Sequence, residues 1–298
     1  MTMERDALPT PGQRVSGIAM PEQYRLPGKP DENASAVALD AFRQTQFVLG
    51  GDLRLFADGM NLQLRILNAS VHLRFRTHVY AVVLGTWSRA YAALDDSCLL
   101  VTRGSYASVP NLVRSACELI AAEYQVKYEE TGELISWMLE HLRPDDERKA
   151  FDVGLGHYFA GSTLAADDGL RAVYRSSSDL GRPNFGSTLM MVGPESNNLR
   201  LAYTFCDASF HVAWAEIELG WLIHLCERQL AVAVHMDDVL NVEPDTHTAY
   251  EAYAARVGET LGNPSRARLE EVDVDGFKRW LVHNFRRQPS GAPKKVLL

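Results

Sequence analysis

Glu218 is the residue whose sequence neighbours most suggest chemistry, because it lies among tryptophans in a strongly apolar segment. At about 100° per residue, Trp214 and Trp221 share one face of the helical pattern Asp207–His235, and Glu218 lies beside them. His211 lies on the same side two turns earlier. A buried carboxylate must meet a cation, take up a proton or reach water in a cleft. We therefore weigh a structural salt bridge against the acidic wall of a ligand pocket.

Arg114 and Glu118 form a second notable pair, one helical turn apart in the apolar segment Val109–Tyr128. On an exposed helix such a pair contributes only ~0.2–0.5 kcal/mol. On an apolar helix the two charges should meet partners on neighbouring helices, and we favour a link from Arg114 to Glu218 across two helices. The alternative is a ligand pocket, whose candidate residues are Arg114, Glu118, Tyr174, His211, Trp214, Glu218 and Trp221.

Arg65 and His72 are the candidate pair for RNA cleavage. Their spacing resembles the Arg…His motif of the HEPN nucleases (higher eukaryotes and prokaryotes nucleotide-binding domain). That resemblance implies an all-α, usually dimeric protein with a composite, metal-independent ribonuclease site. Ile66 follows Arg65, where that family usually has a polar residue.

Two other segments resemble a group of uncharacterised all-α bacterial proteins. GSYASVPNLVRSACELIAAEY, Gly104–Tyr124, is similar to that group's small turn followed by an L-x-R-S-x-x-E helix, with Arg114 and Glu118 at the motif positions. YRSSSDLGRPNFGS, Tyr174–Ser187, is similar to its next segment, although Arg182-Pro183 replaces the expected His-Pro. The resemblance covers a small part of the chain. It implies a helical domain, distantly comparable to HEPN-like bundles, with no established catalysis.

Motifs for other chemistries are absent from the sequence. There is no Glu-x-x-His pair for a di-iron bundle, no Walker lysine loop and no G-x-S-x-G, so we expect neither a metal nor a cofactor. A partner- or small-ligand-binding module is therefore our first interpretation. A HEPN-like ribonuclease or toxin-type protein is the second, and a hydrolase or transferase with a site under the loop 180–200 is the third.

The elements that must position these residues are predicted to be helices. An all-α bundle is expected around two buried helices, with an irregular loop or short-strand insertion near 180–200. On the predicted helix Asp207–His235, Glu216 and Glu227 should face solvent. The helical patterns are Ala36–Leu49 (closed by Gly50-Gly51), Asp52–Leu94 (interrupted near Gly59), Val109–Tyr128, Glu133–Leu142, Asp145–Gly161, Ala166–Asp179, Asp207–His235, Thr246–Leu261 and Gly276–Phe285.

Three parts of the chain are distinguished by composition. Residues 1–35 are rich in proline, glycine and charge and predict a flexible arm, residues 36–285 predict a single helical domain, and residues 286–298 predict a basic mobile tail. The stretch from Phe277 onward interleaves aromatic and basic residues, which suits a docked amphipathic helix better than a nucleic-acid site.

Composition narrows the protein class. The 298 residues are 46% hydrophobic and 23% charged, which is ordinary for a soluble globular protein, and the net charge of −8 argues against a nucleic-acid-binding surface except through the basic tail. The sequence has no secretory signal, no span long enough for a bilayer and no Cys-x-x-Cys. We expect a cytoplasmic, bacterial-type protein with reduced cysteines, and we keep a homodimer as an option.

Overall fold

The computed structural model describes residues 21–70, 78–128, 164, 166–188, 199–200, 203–237 and 240–298. Within these ranges the chain is mostly helical, with a small antiparallel sheet near the C-terminus. The helices are α1 (Ala36–Val48), α2 (Gly50–Ser70), α3 (His78–Thr102), α4 (Val109–Tyr128), α5 (Asp168–Gly181), α6 (Phe185–Thr188), α7 (Val212–Ala233) and α8 (Pro244–Leu261). The strands are β1 (Arg268–Val274), β2 (Phe277–Phe285) and β3 (Lys294–Leu297).

Helix α7 lies at the centre of the described part of the molecule. It packs against α2, α3, α4 and α8, and one end also meets β1. Almost all of its residues are buried, as expected for a helix that is apolar nearly all round. Helix α4 is the second central element and packs against α3, α5 and α7. The prediction of a helical bundle around two buried helices is confirmed.

The strict all-α prediction is wrong, because Phe277–Phe285 of the predicted helix Gly276–Phe285 forms strand β2 in a three-stranded antiparallel sheet of order β1-β2-β3. Val274 pairs with Phe277, so Asp275-Gly276 is a two-residue hairpin loop, and both loop residues have positive φ (56° and 80°). Asp-Gly is the residue pair that such a turn prefers. Alternate β2 residues, Trp280 and Val282, are buried, which is the period of a strand with one face on a core.

The region predicted as a basic tail contributes β3, which pairs with β2 through Val282–Val296 and Leu281–Leu297. Between these strands, the carbonyls of Arg287 and Arg286 accept hydrogen bonds from Val212 N (3.0 Å) and Ala213 N (3.1 Å). The first N–H groups of a helix have no intrahelical partner. This connection, the 286–287 strap, therefore caps the N-terminus of the central helix.

Two glycine-based predictions in the N-terminal half are also wrong. Gly50-Gly51 begins α2 instead of ending the helix before it, and α2 continues without a break through Gly59. Helix α1 ends at Val48, where the Leu49 N–H bonds the Thr45 carbonyl at 2.9 Å. Within the long predicted pattern the structure describes α2 as far as Ser70 and α3 from His78 onward. Residues 71–77 lie outside the described part.

Part of the predicted arm is anchored on the helices. Tyr24 is buried, and its ring makes edge contacts with Phe56 and Tyr91. Its hydroxyl donates to Asp95 Oδ1 at 3.0 Å, and its backbone N–H donates to Asn61 Oδ1 at 2.8 Å. Residues 1–20 of the predicted arm, and the predicted helices Glu133–Leu142 and Asp145–Gly161, lie outside the described residues.

Glu216 and Glu227 do not face solvent, contrary to the prediction, because neighbouring elements cover both sides of α7. Glu216 is 7% exposed and binds Arg286 Nη2 at 3.0 Å, and Glu227 is 8% exposed and accepts a hydrogen bond from the Tyr250 hydroxyl at 2.9 Å. Each carboxylate has a cation or hydroxyl partner, so its burial is compensated.

Candidate functional site

The seven candidate pocket residues fall into three separate places in the structure. Arg114, Glu118 and Tyr174 lie together on α4 and α5. His211, Trp214 and Glu218 lie in the core at the start of α7. Trp221 lies one turn further along α7, at the wall of an open cleft.

The Arg114 group is a half-exposed surface cluster. Arg114 Nε lies 3.3 Å from Glu118 Oε1, with the two side chains 38% and 44% exposed. The Arg114 guanidinium also lies over the ring of Tyr174, 5.7 Å from its centroid. The predicted link between Arg114 and Glu218 is therefore wrong, because the arginine pairs locally with Glu118 while Glu218 lies in the core.

Glu218 is fully buried, and neither carboxylate oxygen has a hydrogen-bond partner among the described residues. The Trp214 indole N–H and His211 Nδ1 beside it also lack partners there. Burial raises the pKa of Glu218 well above its ordinary value, so the neutral acid is favoured in the folded protein. Among the described residues Glu218 is thus a buried core acid that favours its neutral form, and it is not accessible to a ligand from the surface.

The cleft beside Trp221 is a concave site with the aromatic and aliphatic lining that suits a small ligand. It has a volume of about 260 Å³ and lies between α5, α7, β1 and β2. Its apolar walls come from Val173, Ile217 and Leu269, and two indoles, Trp221 and Trp280, line it from different elements. Aromatic and aliphatic walls with a few polar groups are typical of small-molecule sites.

Trp280 is held in place by a hydrogen bond from its indole N–H to Asp179 Oδ2 on α5, at 2.9 Å. A second contact between the same elements joins Arg175 Nη1 to Glu271 Oε2 at 2.9 Å. These two links fix the sheet against α5, so the cleft between them is a preformed feature of the fold.

The polar end of the cleft is a network of paired charges. Arg266 Nη1 lies 2.5 Å from Asp52 Oδ2, and its Nη2 donates to the Glu216 carbonyl at 2.8 Å. Glu216 in turn accepts from Ala267 N at 2.8 Å and pairs with Arg286. The network joins α2, α7 and the start of β1, and it holds the backbone that forms the rim.

His224 lies against the α5 side of the cleft, where burial favours its neutral form. Burial is the main cause that lowers its pKa, and its Nε2 has no hydrogen-bond partner among the described residues. Gly169 gives this ring its space, since a Cβ at that position would lie 2.7 Å from His224 Nε2. His224 therefore contributes an uncharged wall.

Sequence reasoning found only Trp221 among the lining residues. Trp280 lies in the predicted helix Gly276–Phe285, and Arg266 and Leu269 lie between two predicted helices, so neither strand was expected near α7. The Asp275-Gly276 pair was the available signal, because a hairpin there places Trp280 and Val282 on one buried face.

The ribonuclease pair is only half visible in the structure. Arg65 Nη2 lies 3.6 Å from Glu243 Oε2 on the surface, with the arginine side chain 40% exposed. His72 lies outside the described residues, as do residues 189–198 of the loop 180–200 that motivated the hydrolase or transferase hypothesis. Both hypotheses stay predictions.

The described ranges of the chain contain no group of three or more histidine, cysteine, aspartate or glutamate side chains that could hold a metal ion. Among the same residues, no helix combines the length and apolar character needed to cross a bilayer.

Comparison of the chain with known proteins identifies no similar protein. No family model matches the sequence, and no curated protein or solved structure matches it either. The cleft must therefore be interpreted from its own residues.

Proposed function

We propose that this chain is a small-ligand-binding module and that its ligand occupies the cleft between α5, α7, β1 and β2. The observation that carries the proposal is the pair of indoles, Trp221 and Trp280, that line one concavity from two elements. Buried aromatic rings supply large contact areas at a low cost in side-chain entropy.

The size of the cleft limits the ligand. Its volume of about 260 Å³ is just below the usual range of drug-sized sites, ~300–1,000 Å³. A compact molecule, smaller than a nucleotide, fits such a space. Two of the charged residues that line the cleft, Arg266 and Glu216, are already hydrogen-bonded to protein groups, which supports binding without chemistry.

The test combines native mass spectrometry of the gently purified protein with a ligand-observed NMR screen of small aromatic and aliphatic compounds. Ala172 lines the cleft and is solvent-exposed on α5, so Ala172→Trp should fill the opening at little cost in stability. We expect at least one compound to bind the parent protein and to lose about tenfold or more in affinity with this variant.

Ala255→Trp is the matched control, because Ala255 is an exposed helical alanine on α8 away from the cleft. It should bind as the parent does. A screen without binders, or binding that Ala172→Trp leaves unchanged, would overturn the proposal.

A further inference from the structure

We infer that single-stranded nucleic acid binds to the outer face of the C-terminal sheet, the face turned away from α5 and α7. In this assignment a base stacks on Phe277, and Arg268, Arg279 and Lys295 neutralise the phosphates. The surface is separate from the ligand cleft, so the inference does not rest on the proposed function.

The strand register divides the side chains between the two faces of the sheet. Trp280 bonds α5 through its indole N–H, so it marks the inner face of β2. Its register partner on β1, Glu271, is also paired with α5. Successive side chains of a strand point to opposite faces. Residues an odd number of positions away therefore lie on the outer face: Arg268 on β1, and Phe277 and Arg279 on β2.

Strand β3 adds a third cation to the outer face. Val296 is paired with the buried Val282 and shares the inner face with it, whereas Leu297 is paired with Leu281. Lys295 precedes Val296 in the strand, so its side chain lies on the outer face. Part of the predicted basic tail thus supplies a cation to this surface.

The charge of the outer face contrasts with the net charge of the whole protein, which is −8. Arg268, Arg279 and Lys295 are exposed, and none of these side chains has an ion pair or hydrogen bond with a described residue. Glu270 is the one acid that the three strands place on this face, and it is engaged with His283 Nε2 at 2.5 Å. A local surplus of cations attracts a polyanion.

Phe277 is the exposed aromatic ring of the outer face. It is 68% exposed and lies at the hairpin end of β2. Arg279 is its next neighbour on the same face, about 7 Å along the strand. Unpaired bases stack on aromatic rings of this kind while nearby cations neutralise the phosphates. The ring therefore favours a nucleic acid over other polyanions.

The size of the outer face also favours a nucleic-acid strand over a folded protein partner. The strands have seven, nine and four residues. At ~3.3 Å per residue and ~4.8 Å between strands, the face covers about 400 Å². Each partner in a stable protein–protein interface contributes about 800 Å². A small sheet is enough for two or three stacked bases.

The experiment measures binding of the full chain to a labelled single-stranded oligouridylate of about ten nucleotides by fluorescence anisotropy. We expect binding at low salt that weakens as salt is added. Three phosphate contacts on a single strand predict a slope of about 2 for log Kd against log salt concentration, at ~0.7 per contact.

Two variants separate the stacking contact from the charges. Phe277→Leu should weaken binding about tenfold or more and leave the salt slope unchanged, because a stacking ring is lost but no cation is. It should leave the binding of a base-paired duplex unchanged. Arg279→Gln should lower the salt slope by about 0.7, because one phosphate contact is lost. Both side chains are exposed, so neither change disturbs the core.

The chain offers a matched control for each variant. Lys278 is the exposed neighbour of Arg279 on β2, but it lies at an inner-face position, 3.9 Å from Glu271 and 3.7 Å from Asp273. Lys278→Gln should leave the salt slope unchanged. Phe47 is 90% exposed on α1. Phe47→Leu should bind the oligonucleotide as the parent does.

Three results would overturn the inference. The first is no oligonucleotide binding at low salt, and the second is binding that Phe277→Leu leaves unchanged. The third is a polyglutamate peptide of the same charge that binds as tightly as the oligonucleotide. The last two would show a surface for any polyanion, such as an acidic protein segment.

Discussion

Gly59 and Gly220 are both in the interior of a helix, but for different physical reasons. A Cβ at Gly59 would overlap the Tyr253 hydroxyl and approach Cys226 Cβ to 3.0 Å. A Cβ at Gly220 would lie 3.5 Å from Leu261 Cδ2 and 3.6 Å from Arg266 Nη2, which is ordinary contact. The first glycine is required by the packing of α2 against α7 and α8, and the second is not.

We therefore expect Gly220→Ala to stabilise the protein by about 0.5–1 kcal/mol, because alanine favours the helix over glycine. Gly59→Ala should destabilise it by about 1–3 kcal/mol, because Tyr253 and Cys226 must move. Urea unfolding of both variants measures the two changes. Equal effects of the same sign would show that packing around Gly59 is looser than the distances indicate.

Glu218 and Glu123 are two buried acids on the central helices. Glu123 is 1% exposed and accepts a hydrogen bond from Gln229 Nε2 at 2.5 Å, whereas Glu218 has no such partner among the described residues. Burial is the main cause that raises the pKa of each. Both residues therefore bind their proton more tightly in the folded state than in the unfolded state.

Because the pKa of Glu218 is higher in the folded state than in the unfolded state, the free energy of unfolding depends on pH. The contribution of Glu218 to the free energy of unfolding is fully present below its ordinary pKa of 4.5. It falls by about 1.4 kcal/mol per pH unit as the pH rises from there to the higher folded-state pKa. Glu218→Gln should therefore match the parent at acid pH and exceed it increasingly as the pH rises. Urea unfolding at a series of pH values measures this difference.

Glu251→Gln, an exposed change on α8, is the control and should track the parent at every pH. A difference between Glu218→Gln and the parent that stays constant with pH would contradict the assignment of a neutral acid in the folded protein.

At the scale of elements, the Arg266–Asp52 pair joins α2 to the start of β1 and also reaches the α7 backbone. Asp52→Asn should destabilise the protein by about 3 kcal/mol, because the nearly buried guanidinium would lose its charged partner. Chemical denaturation gives the value.

Asp58→Asn provides the comparison, since Asp58 pairs with Arg256 on the surface and both side chains are 51% exposed. Its effect should stay below about 1 kcal/mol. If the two variants lost equal stability, the Asp52 pair would not carry the connection between these elements.

The helices were largely predictable because their apolar residues recur at helical spacing over long segments, as in α4 and α7. The hairpin was not, because FKRWLVHNF of β2 has apolar residues on both faces and satisfies helical and strand periods alike. Its partner, RLEEVDV of β1, is too polar to signal a strand, and only the sheet as a whole shows which face is buried.

At the scale of the molecule, the cleft could not be derived from the sequence, because its walls come from α5, α7 and the β1–β2 hairpin, which are separated from one another along the chain. The burial of Glu218 could be anticipated from its helix face, but its lack of partners could not. Which side chains reach a given carboxylate depends on how helices are placed around α7, and helical periodicity does not specify that placement.

Because the cleft spans the helices and the sheet, a bound ligand should stabilise the whole fold. A compound that binds the cleft in the screen, at about one hundred times its dissociation constant, should add about 2.7 kcal/mol to the free energy of unfolding and raise the melting temperature. The same concentration should raise the melting temperature of Ala172→Trp by a smaller amount. Scanning calorimetry measures both shifts, and equal shifts in the parent and the variant would contradict binding in the cleft.

The 286–287 strap has a consequence for the order in which the protein folds during synthesis. Among the described residues, the N–H groups of Val212 and Ala213 donate to the carbonyls of Arg287 and Arg286, which the ribosome adds after α7 is complete. Until then the central helix has no cap from this part of the chain, although its apolar surface is already exposed. The cap that the 286–287 strap gives to α7 can therefore form only after Arg286 and Arg287 have been synthesised.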